Sequence, residues 1–218
     1  MEGQSDKDAL IPYLEDRLLS SRVKVTVKEI HGDILTAFID GQRIYRVSPS
    51  NVKGEIKKEI LQYLKTASVK AEQIKAKDIC KIYYVTDTDY CFHSKLDGHK
   101  NKSKCLEKIF NFGSIELVKD KFVPFDTIYF SKHLEHIIAN KIENLSKEEK
   151  QKLSLEFGEK SLTEKGFYEK TFKNPEIKKW ENYRKSYEEI QTYKGRACNM
   201  NNLLDEIDEL VIKSNVKN

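Results

Sequence analysis

The stretch ICKIYYV at residues 79–85, which runs directly into TDTD at residues 86–89, decides the predicted fold. It is short, apolar and rich in β-branched and aromatic side chains, as is typical of a strand buried on both faces of a parallel sheet. Ligands of open α/β sheets bind at the carboxyl ends of the strands, and Asp87 and Asp89 follow this strand at that end. The stretch therefore predicts an α/β fold with two carboxylates at the functional end of a buried strand.

The spacing of Asp87 and Asp89 suits joint binding of a cation. Residues i and i+2 of a strand project to the same side, with Cα atoms roughly 6.5–7 Å apart. Magnesium prefers oxygen ligands and keeps several of its waters, so that two or three carboxylates are enough to hold it. For the motif taken alone, a turn in which an aspartate caps a helix remains the alternative.

The rest of the chain divides into an α/β half and a helical half. Apolar residues at helical spacing predict helices over 5–18 (with Pro12 inside), 51–66, 103–112, 132–143, 146–158, 163–172, 176–193 and 200–213. Alternating or β-branched runs predict strands at 22–30, at 79–85 and, as one or two strands around Pro124, at 115–130.

The composition is that of a globular chain without a membrane segment. The 218 residues include 34% charged and 39% hydrophobic residues and carry a net charge of +4. No stretch has the length of a transmembrane helix, and no charged start leads into an apolar signal segment. We therefore expect a cytoplasmic protein with no membrane partner. The four cysteines contain no C-x-x-C pair, which argues against a zinc knuckle.

The first residues add a second acidic motif. Glu2 precedes Gly3, which permits a tight turn and a close approach of backbone to ligand. Ser5 and Asp8 have the spacing of a capping box, so a helix is predicted to begin there. The amides at its start can receive an anionic oxygen. A frayed, charged terminus is the alternative.

Together, EGQSD at 2–6 and DTD at 87–89 resemble the TOPRIM domain of topoisomerases, primases and OLD-family nucleases. The resemblance implies a mostly parallel sheet flanked by helices over residues 1–130, followed by a helical extension or subdomain over 131–218. It assigns Glu2, Asp87 and Asp89 to the family's catalytic metal ligands. In that family they hold Mg²⁺ (or Mn²⁺) and support the breaking or joining of phosphodiester bonds.

The start of the chain departs from the family pattern. A TOPRIM domain has an apolar strand directly before the glutamate, whereas only Met1 precedes Glu2 here. The resemblance therefore predicts either a chain that begins farther upstream or a domain without that strand. In the second case Glu2 would be loosely held, which weakens metal binding.

A third element, YFSKHLEHII at 129–138, is similar to the Leu-Glu element that follows D-x-D in OLD-type nucleases and in small TOPRIM proteins of phage-defence systems. This likeness makes Glu135 a further candidate for catalysis and metal binding, and it implies an ATPase partner. Lys132 and His133 lie beside Glu135, and either could steady a charged transition state. An exposed helix glutamate is the alternative for Glu135.

Lysines that follow the acidic pair are candidate nucleic-acid contacts. Lys100, Lys102 and Lys104 belong to HKNKSK at 99–104, which we predict to be a basic loop that neutralises backbone phosphates. A solvated loop without a partner is the alternative.

The sequence and the resemblance together predict a metal-dependent nuclease that acts on DNA or RNA. The likeness adds a role as a phage-defence effector controlled by an ATPase. Two alternatives are a non-catalytic TOPRIM-like module that binds proteins through its helical half and a regulator that binds nucleic acid. The oligomeric state stays open, including a homo-oligomer.

Overall fold

The computed structural model describes residues 3–19, 21, 23–28, 35, 37–39, 42–44, 47–89, 91–93, 95, 97–141, 145–179 and 183–215. Its α-helices are α1 (Gln4–Leu18), α2 (Val52–Tyr63), α3 (Ala67–Ala71), α4 (Asp97–Phe110), α5 (Leu134–Ala139), α6 (Lys147–Thr163), α7 (Phe167–Phe172), α8 (Tyr183–Ile190) and α9 (Met200–Asn215). Its strands are β1 (Ala37–Ile39), β2 (Gln42–Ile44), β3 (Ile82–Asp87), β4 (Ser114–Val118) and β5 (Lys121–Phe130), and a 3₁₀ turn covers Ala76–Asp78.

The chain forms two compact units. Unit 1 consists of residues 1–29, 86–89 and 128–218, and unit 2 consists of residues 30–85 and 90–127. Strands β3 and β5 both begin in unit 2 and end in unit 1. The boundary that we expected at residue 130 stays a prediction.

The α/β class is confirmed, but a mostly parallel TOPRIM-like sheet is not. The sheet is small, open and mixed, with three strands in the order β3-β5-β4. Strands β4 and β5 pair antiparallel, with Ser114 opposite Pro124 and Val118 opposite Lys121. Only two residues separate these strands, and so short a link cannot make the crossover that a parallel pair needs. Strands β1 and β2 form a separate antiparallel pair.

Unit 1 is built around the close approach of α1 and α6. Pro12 lies inside α1, as predicted, and has no amide to donate to the carbonyl of Asp8. Gly158 of α6 lies against that carbonyl, because a Cβ atom on Gly158 would come within 2.4 Å of the Asp8 oxygen. The proline of one helix and the glycine of the other thus share one contact point.

An aromatic cluster fills the space between these helices and α7. The rings of Tyr13 and Tyr168 stack at 4.1 Å with an interplanar angle of 10°. Tyr168 and Phe172 are fully buried, and Phe157 contacts both rings. The core of unit 1 therefore combines α1, from the predicted α/β half, with α6 and α7, from the predicted helical half.

Two local predictions are wrong. The capping box at Ser5 does not form, because α1 begins at Gln4 with Gly3 as its N-cap, and Ser5 already lies in the helix. A capping box does form at Ser146 and Glu149, where α6 begins. Residues 23–28 of the predicted strand 22–30 belong to no strand, since alternation alone supplies no partner for the backbone.

Candidate functional site

The acidic pair lies at the carboxyl end of β3, as predicted. Asp87 is the last residue of β3, and both Asp87 and Asp89 are half-buried. Thr88 between them is buried, and its amide and its hydroxyl each donate to the carbonyl of Phe130 at 3.0 Å. The Thr88 hydroxyl oxygen also accepts from the amide of Lys132 at 3.0 Å. Thr88 thereby ties the end of β3 to the residues that follow β5.

Asp89 and Lys132 form an isolated bridge beyond the two strands. The amide of Asp89 donates to the carbonyl of Lys132 at 2.7 Å. Both residues have left-handed backbones, with φ of 47° at Asp89 and 63° at Lys132. Such conformations cost of order 1–3 kcal/mol each for residues other than glycine and persist only where the surroundings enforce them. The structure therefore brings together two residues that the sequence had singled out separately.

The left-handed backbone at Asp89 removes the reason to expect the Asp87 and Asp89 side chains to project to the same side. The two-residue repeat that aims side chains to one side holds only while the backbone is extended. Strand β3 ends at Asp87, and the backbone at Asp89 is left-handed. Joint orientation of Asp87 and Asp89 consequently does not follow from their i, i+2 spacing.

Glu135 is a buried, ionised carboxylate rather than an exposed one. It lies in the first turn of α5 and is 3% exposed. One carboxylate oxygen lies 2.9 Å from Nδ1 of His133, and the other lies 3.9 Å from Nζ of Lys150. Burial alone would raise the pKa of Glu135, but the hydrogen bond from His133, the Glu135 amide and the Lys150 charge hold that pKa below its usual value.

His133 Nδ1 has two competing neighbours. It lies 2.9 Å from the Glu135 carboxylate, which requires a proton on Nδ1. It also lies 3.3 Å from the amide of His136, whose hydrogen bond requires a bare Nδ1. The shorter contact and the negative charge of Glu135 favour the protonated nitrogen, so His133 donates to Glu135.

A second hydrogen-bond network, formed by Ser131, Ala197 and His136, fixes the residues just before Lys132. Ser131 donates its amide to the carbonyl of Ala197, and its hydroxyl accepts from the Ala197 amide, both at 2.8 Å. His136 lies 3.2 Å from the Ser131 carbonyl through Nδ1 and is 2% exposed. Burial lowers the pKa of His136, and nearby positive charges act in the same direction. His136 is therefore a buried, neutral histidine with a structural role.

The structure does not join these acids into one metal centre. Over the described ranges, no three His, Cys, Asp or Glu side chains are grouped so that they could hold a metal ion. Glu2 lies outside the described residues. Binding of Mg²⁺ or Mn²⁺ by Glu2, Asp87, Asp89 and Glu135 remains a prediction.

Relatives do not supply the assignment either. The chain matches no protein-family model, no curated protein and no solved structure. No helix in the described part of the chain is both long and apolar enough to cross a membrane. The chemistry of the site is therefore inferred from its own residues and geometry.

The lysines predicted to lie in a basic loop lie instead on α4 in unit 2. Lys100 and Lys104 are exposed, and Lys100 lies 3.8 Å from Asp97. Lys102 is 2% exposed, so its side chain is not accessible to a phosphate group of a nucleic acid in solution. The spacing of Lys102 from Cys105, at i+3, signals a shared helix face, but lysine is so rarely buried that the signal was missed.

Proposed function

We propose that the protein is a metal-dependent nuclease that hydrolyses phosphodiester bonds of DNA or RNA at the turn containing Asp87 and Asp89. The observation that supports this best is the bridge between Asp89 and Lys132. It holds a carboxylate residue and a basic residue next to each other in backbone conformations that are unfavourable unless enforced. Such strain recurs at functional sites, and this strain coincides with residues selected for their chemistry.

The residues of the turn would have different roles. Asp87 and Asp89 offer hard oxygen donors of the kind that Mg²⁺ accepts, although the described residues do not complete a set of three. When bound, the ion would supply positive charge to a phosphodiester. Lys132 would bind a phosphate oxygen beside it. Glu135 is already matched by His133 and Lys150, so we assign it the role of positioning the turn.

The biological setting is proposed on the resemblance to small TOPRIM proteins of phage-defence systems. In that setting the protein is a cytoplasmic defence effector controlled by an ATPase partner. The proposal is tested by plaque assays in cells that carry the chain with a candidate ATPase. Protection should require both proteins and should be lost when Asp87 is replaced by Asn. Protection that survives this replacement would contradict a nuclease effector.

The enzymatic proposal is tested with variants that keep the backbone. Asn tolerates a left-handed φ, so Asp89→Asn removes the charge without changing the turn. Asp120→Asn is a matched control, because Asp120 also has a positive φ, of 62°, but lies in the β4–β5 turn of unit 2. We expect cleavage of labelled DNA or RNA with Mg²⁺ or Mn²⁺ to be lost in Asp87→Asn and Asp89→Asn and kept in Asp120→Asn. Equal cleavage by all four proteins would refute the assignment.

A second candidate, a non-catalytic module that binds a protein, is favoured by two observations. Glu135 already has His133 and Lys150 as partners, and no three-ligand group occurs among the described residues. Calorimetric titration with Mn²⁺ separates the two functions. Heat of binding that disappears in Asp89→Asn supports the nuclease, whereas an absence of metal binding in a folded protein supports the module.

A further inference from the structure

The charge of the chain is divided unevenly between the two units. Unit 2 contains 17 Lys and Arg residues and 11 Asp and Glu residues, which leaves a net charge of +6. Unit 1 contains 22 Lys and Arg residues and 24 Asp and Glu residues, which leaves a net charge of −2. The modest net charge of +4 therefore hides a distinctly basic unit 2, and a basic unit attracts polyanions.

Part of this charge lies on one outward face of α2. The face carries a shallow, open groove of about 370 Å³ lined by Gly54, Lys57, Lys58, Leu61, Gln62 and Lys65, which we call the α2 groove. The buried residues of α2, Val52 and Ile56, belong to the opposite face. The i, i+3 and i, i+4 spacings of the lining residues from Gly54 to Gln62 place their side chains together on this face of α2, and Lys65 follows two residues after the helix ends.

The lysines of the α2 groove are available for a partner. Within the described residues Lys57 and Lys65 make no ion pair. Lys58 lies 3.3 Å from Glu55, but the two side chains are 59% and 36% exposed. An exposed ion pair at i, i+3 stabilises by only a few tenths of a kcal/mol, so the pair with Glu55 does not prevent Lys58 from binding a phosphate.

The dimensions and chemistry of the α2 groove favour a phosphate backbone. Lys57 and Lys58 lie on α2, Lys65 lies two residues past its end, and all three line the same groove, so that they can contact successive phosphates of one strand. A partner helix would need a row of apolar anchors at i, i+3 or i+4 and i+7. The α2 groove offers Leu61 alone, and Gly54 contributes no side chain.

We propose that the α2 groove is a sequence-independent binding site for the sugar–phosphate backbone of a nucleic acid. Lys57, Lys58 and Lys65 contact phosphate oxygens, and Gly54 leaves room for the backbone, because a Cβ atom there would meet nothing within 4 Å. The site concerns binding and not hydrolysis. Asp89→Asn should abolish cleavage and leave this binding intact, so that either proposal can fail without the other.

The test compares two triple variants that remove the same charge. In the first, Lys57, Lys58 and Lys65 are replaced by Gln. In the second, three exposed lysines of unit 1 are replaced by Gln, namely Lys147, Lys160 and Lys165. Fluorescence anisotropy of labelled DNA and RNA duplexes in EDTA gives the affinity at about 50 and about 200 mM salt. Circular dichroism and thermal melting verify that each variant is folded.

We expect the first variant to bind at least about tenfold more weakly at low salt and to reduce the slope of log affinity against log salt by about three. The second variant should bind like the wild type, and a Lys→Arg version of the first should restore the affinity. A preference for DNA or for RNA would identify the source of the phosphates.

Three results would overturn the proposal. The first is wild-type affinity in the folded α2 variant. The second is an equal loss in the unit 1 variant, which would indicate an effect of net charge alone. The third is a wild-type protein that binds polyglutamate but neither duplex, which would make the partner an acidic protein.

Discussion

Asp89 follows the end of β3 and Lys132 follows the end of β5, and the amide of Asp89 donates to the carbonyl of Lys132 at 2.7 Å. Both residues have left-handed backbones. Neither is glycine, so the fold carries a conformational cost at both positions. Aspartate adopts this conformation more readily than most residues, so the larger cost falls on Lys132. In the proposed nuclease, the side chains of Asp89 and Lys132 would offset this cost through their roles at the site.

This relationship predicts that stability and activity change in opposite directions at Lys132. Lys132→Gly should raise the free energy of unfolding by up to about 1 kcal/mol, because glycine adopts a positive φ without penalty. The same variant should cleave nucleic acid poorly, since it lacks the ammonium group. Urea unfolding and cleavage assays measure the two effects. Lys132→Val, which strains the turn further, serves as the control and should lower both quantities.

The buried pair of Glu135 and His133 predicts an acid-dependent stability. The pKa of Glu135 in the folded protein lies below its ordinary value of 4.5, so its contribution is fully present above that pH. The contribution is lost as the pH falls through the lowered pKa of the folded state. Glu135→Gln should reduce the free energy of unfolding by about 1–3 kcal/mol at neutral pH.

The difference between wild type and Glu135→Gln should shrink as the pH falls below 4.5. Denaturant unfolding at a series of pH values measures this difference. Glu148→Gln is the control, because Glu148 is exposed in the first turn of α6. A gap between wild type and Glu135→Gln that stays constant into acid would show that the pair does not stabilise the ionised carboxylate.

Replacement by alanine should have opposite effects on stability at two glycines, Gly158 in the contact between α1 and α6 and Gly54 on the open face of α2. Gly158→Ala should lower the free energy of unfolding by several kcal/mol, on the order of 2–4, because its Cβ would lie 2.4 Å from the backbone oxygen of Asp8. Gly54→Ala should raise it by up to about 1 kcal/mol, because alanine favours the helix and meets nothing within 4 Å. Thermal melting of both variants checks the prediction, and a stable Gly158→Ala protein would show that the helices can separate without cost.

Lys102 should behave as a core residue and Lys104 as a surface residue. Lys102→Gln should lower the free energy of unfolding by about 1–3 kcal/mol, because its buried side chain has interactions that a shorter one cannot keep. Lys104→Gln should leave stability within about 0.5 kcal/mol. Urea unfolding compares the two. Equal stabilities would mean that Lys102 reaches solvent in solution.

The sequence predicted those parts of the fold that depend on local patterns. The strand ending at Asp87 was found because its side chains are β-branched and aromatic, and α2 was found from its apolar stripe. The antiparallel arrangement of β4 and β5 depends on a two-residue turn, which the interpretation as one or two strands around Pro124 left undecided.

The site was predicted less completely, because its geometry depends on contacts distant in sequence. The left-handed φ of Asp89 follows from its bond to Lys132, which lies 43 positions later, and no local signal indicates it. The burial of Glu135 could not be predicted from the local sequence either. Its neighbours Leu134 and Ile137 pointed to a core-facing helix, but only the tertiary contact with Lys150 shows that the glutamate is covered as well.

The course of the chain through the two units bears on how the protein can be dissected. Residues 86–89 belong to unit 1, whereas the chain on either side of them belongs to unit 2. A fragment covering 128–218 keeps α5 to α9 but lacks α1 and both aspartates, and a fragment covering 30–127 carries the aspartates away from Phe130 and Lys132. A fragment that begins at residue 86 keeps the aspartates with Phe130 and Lys132 but divides β3 and removes α1. Each truncation thus changes either the proposed catalytic residues or the elements that hold them, so that point substitutions locate the site better than deletions.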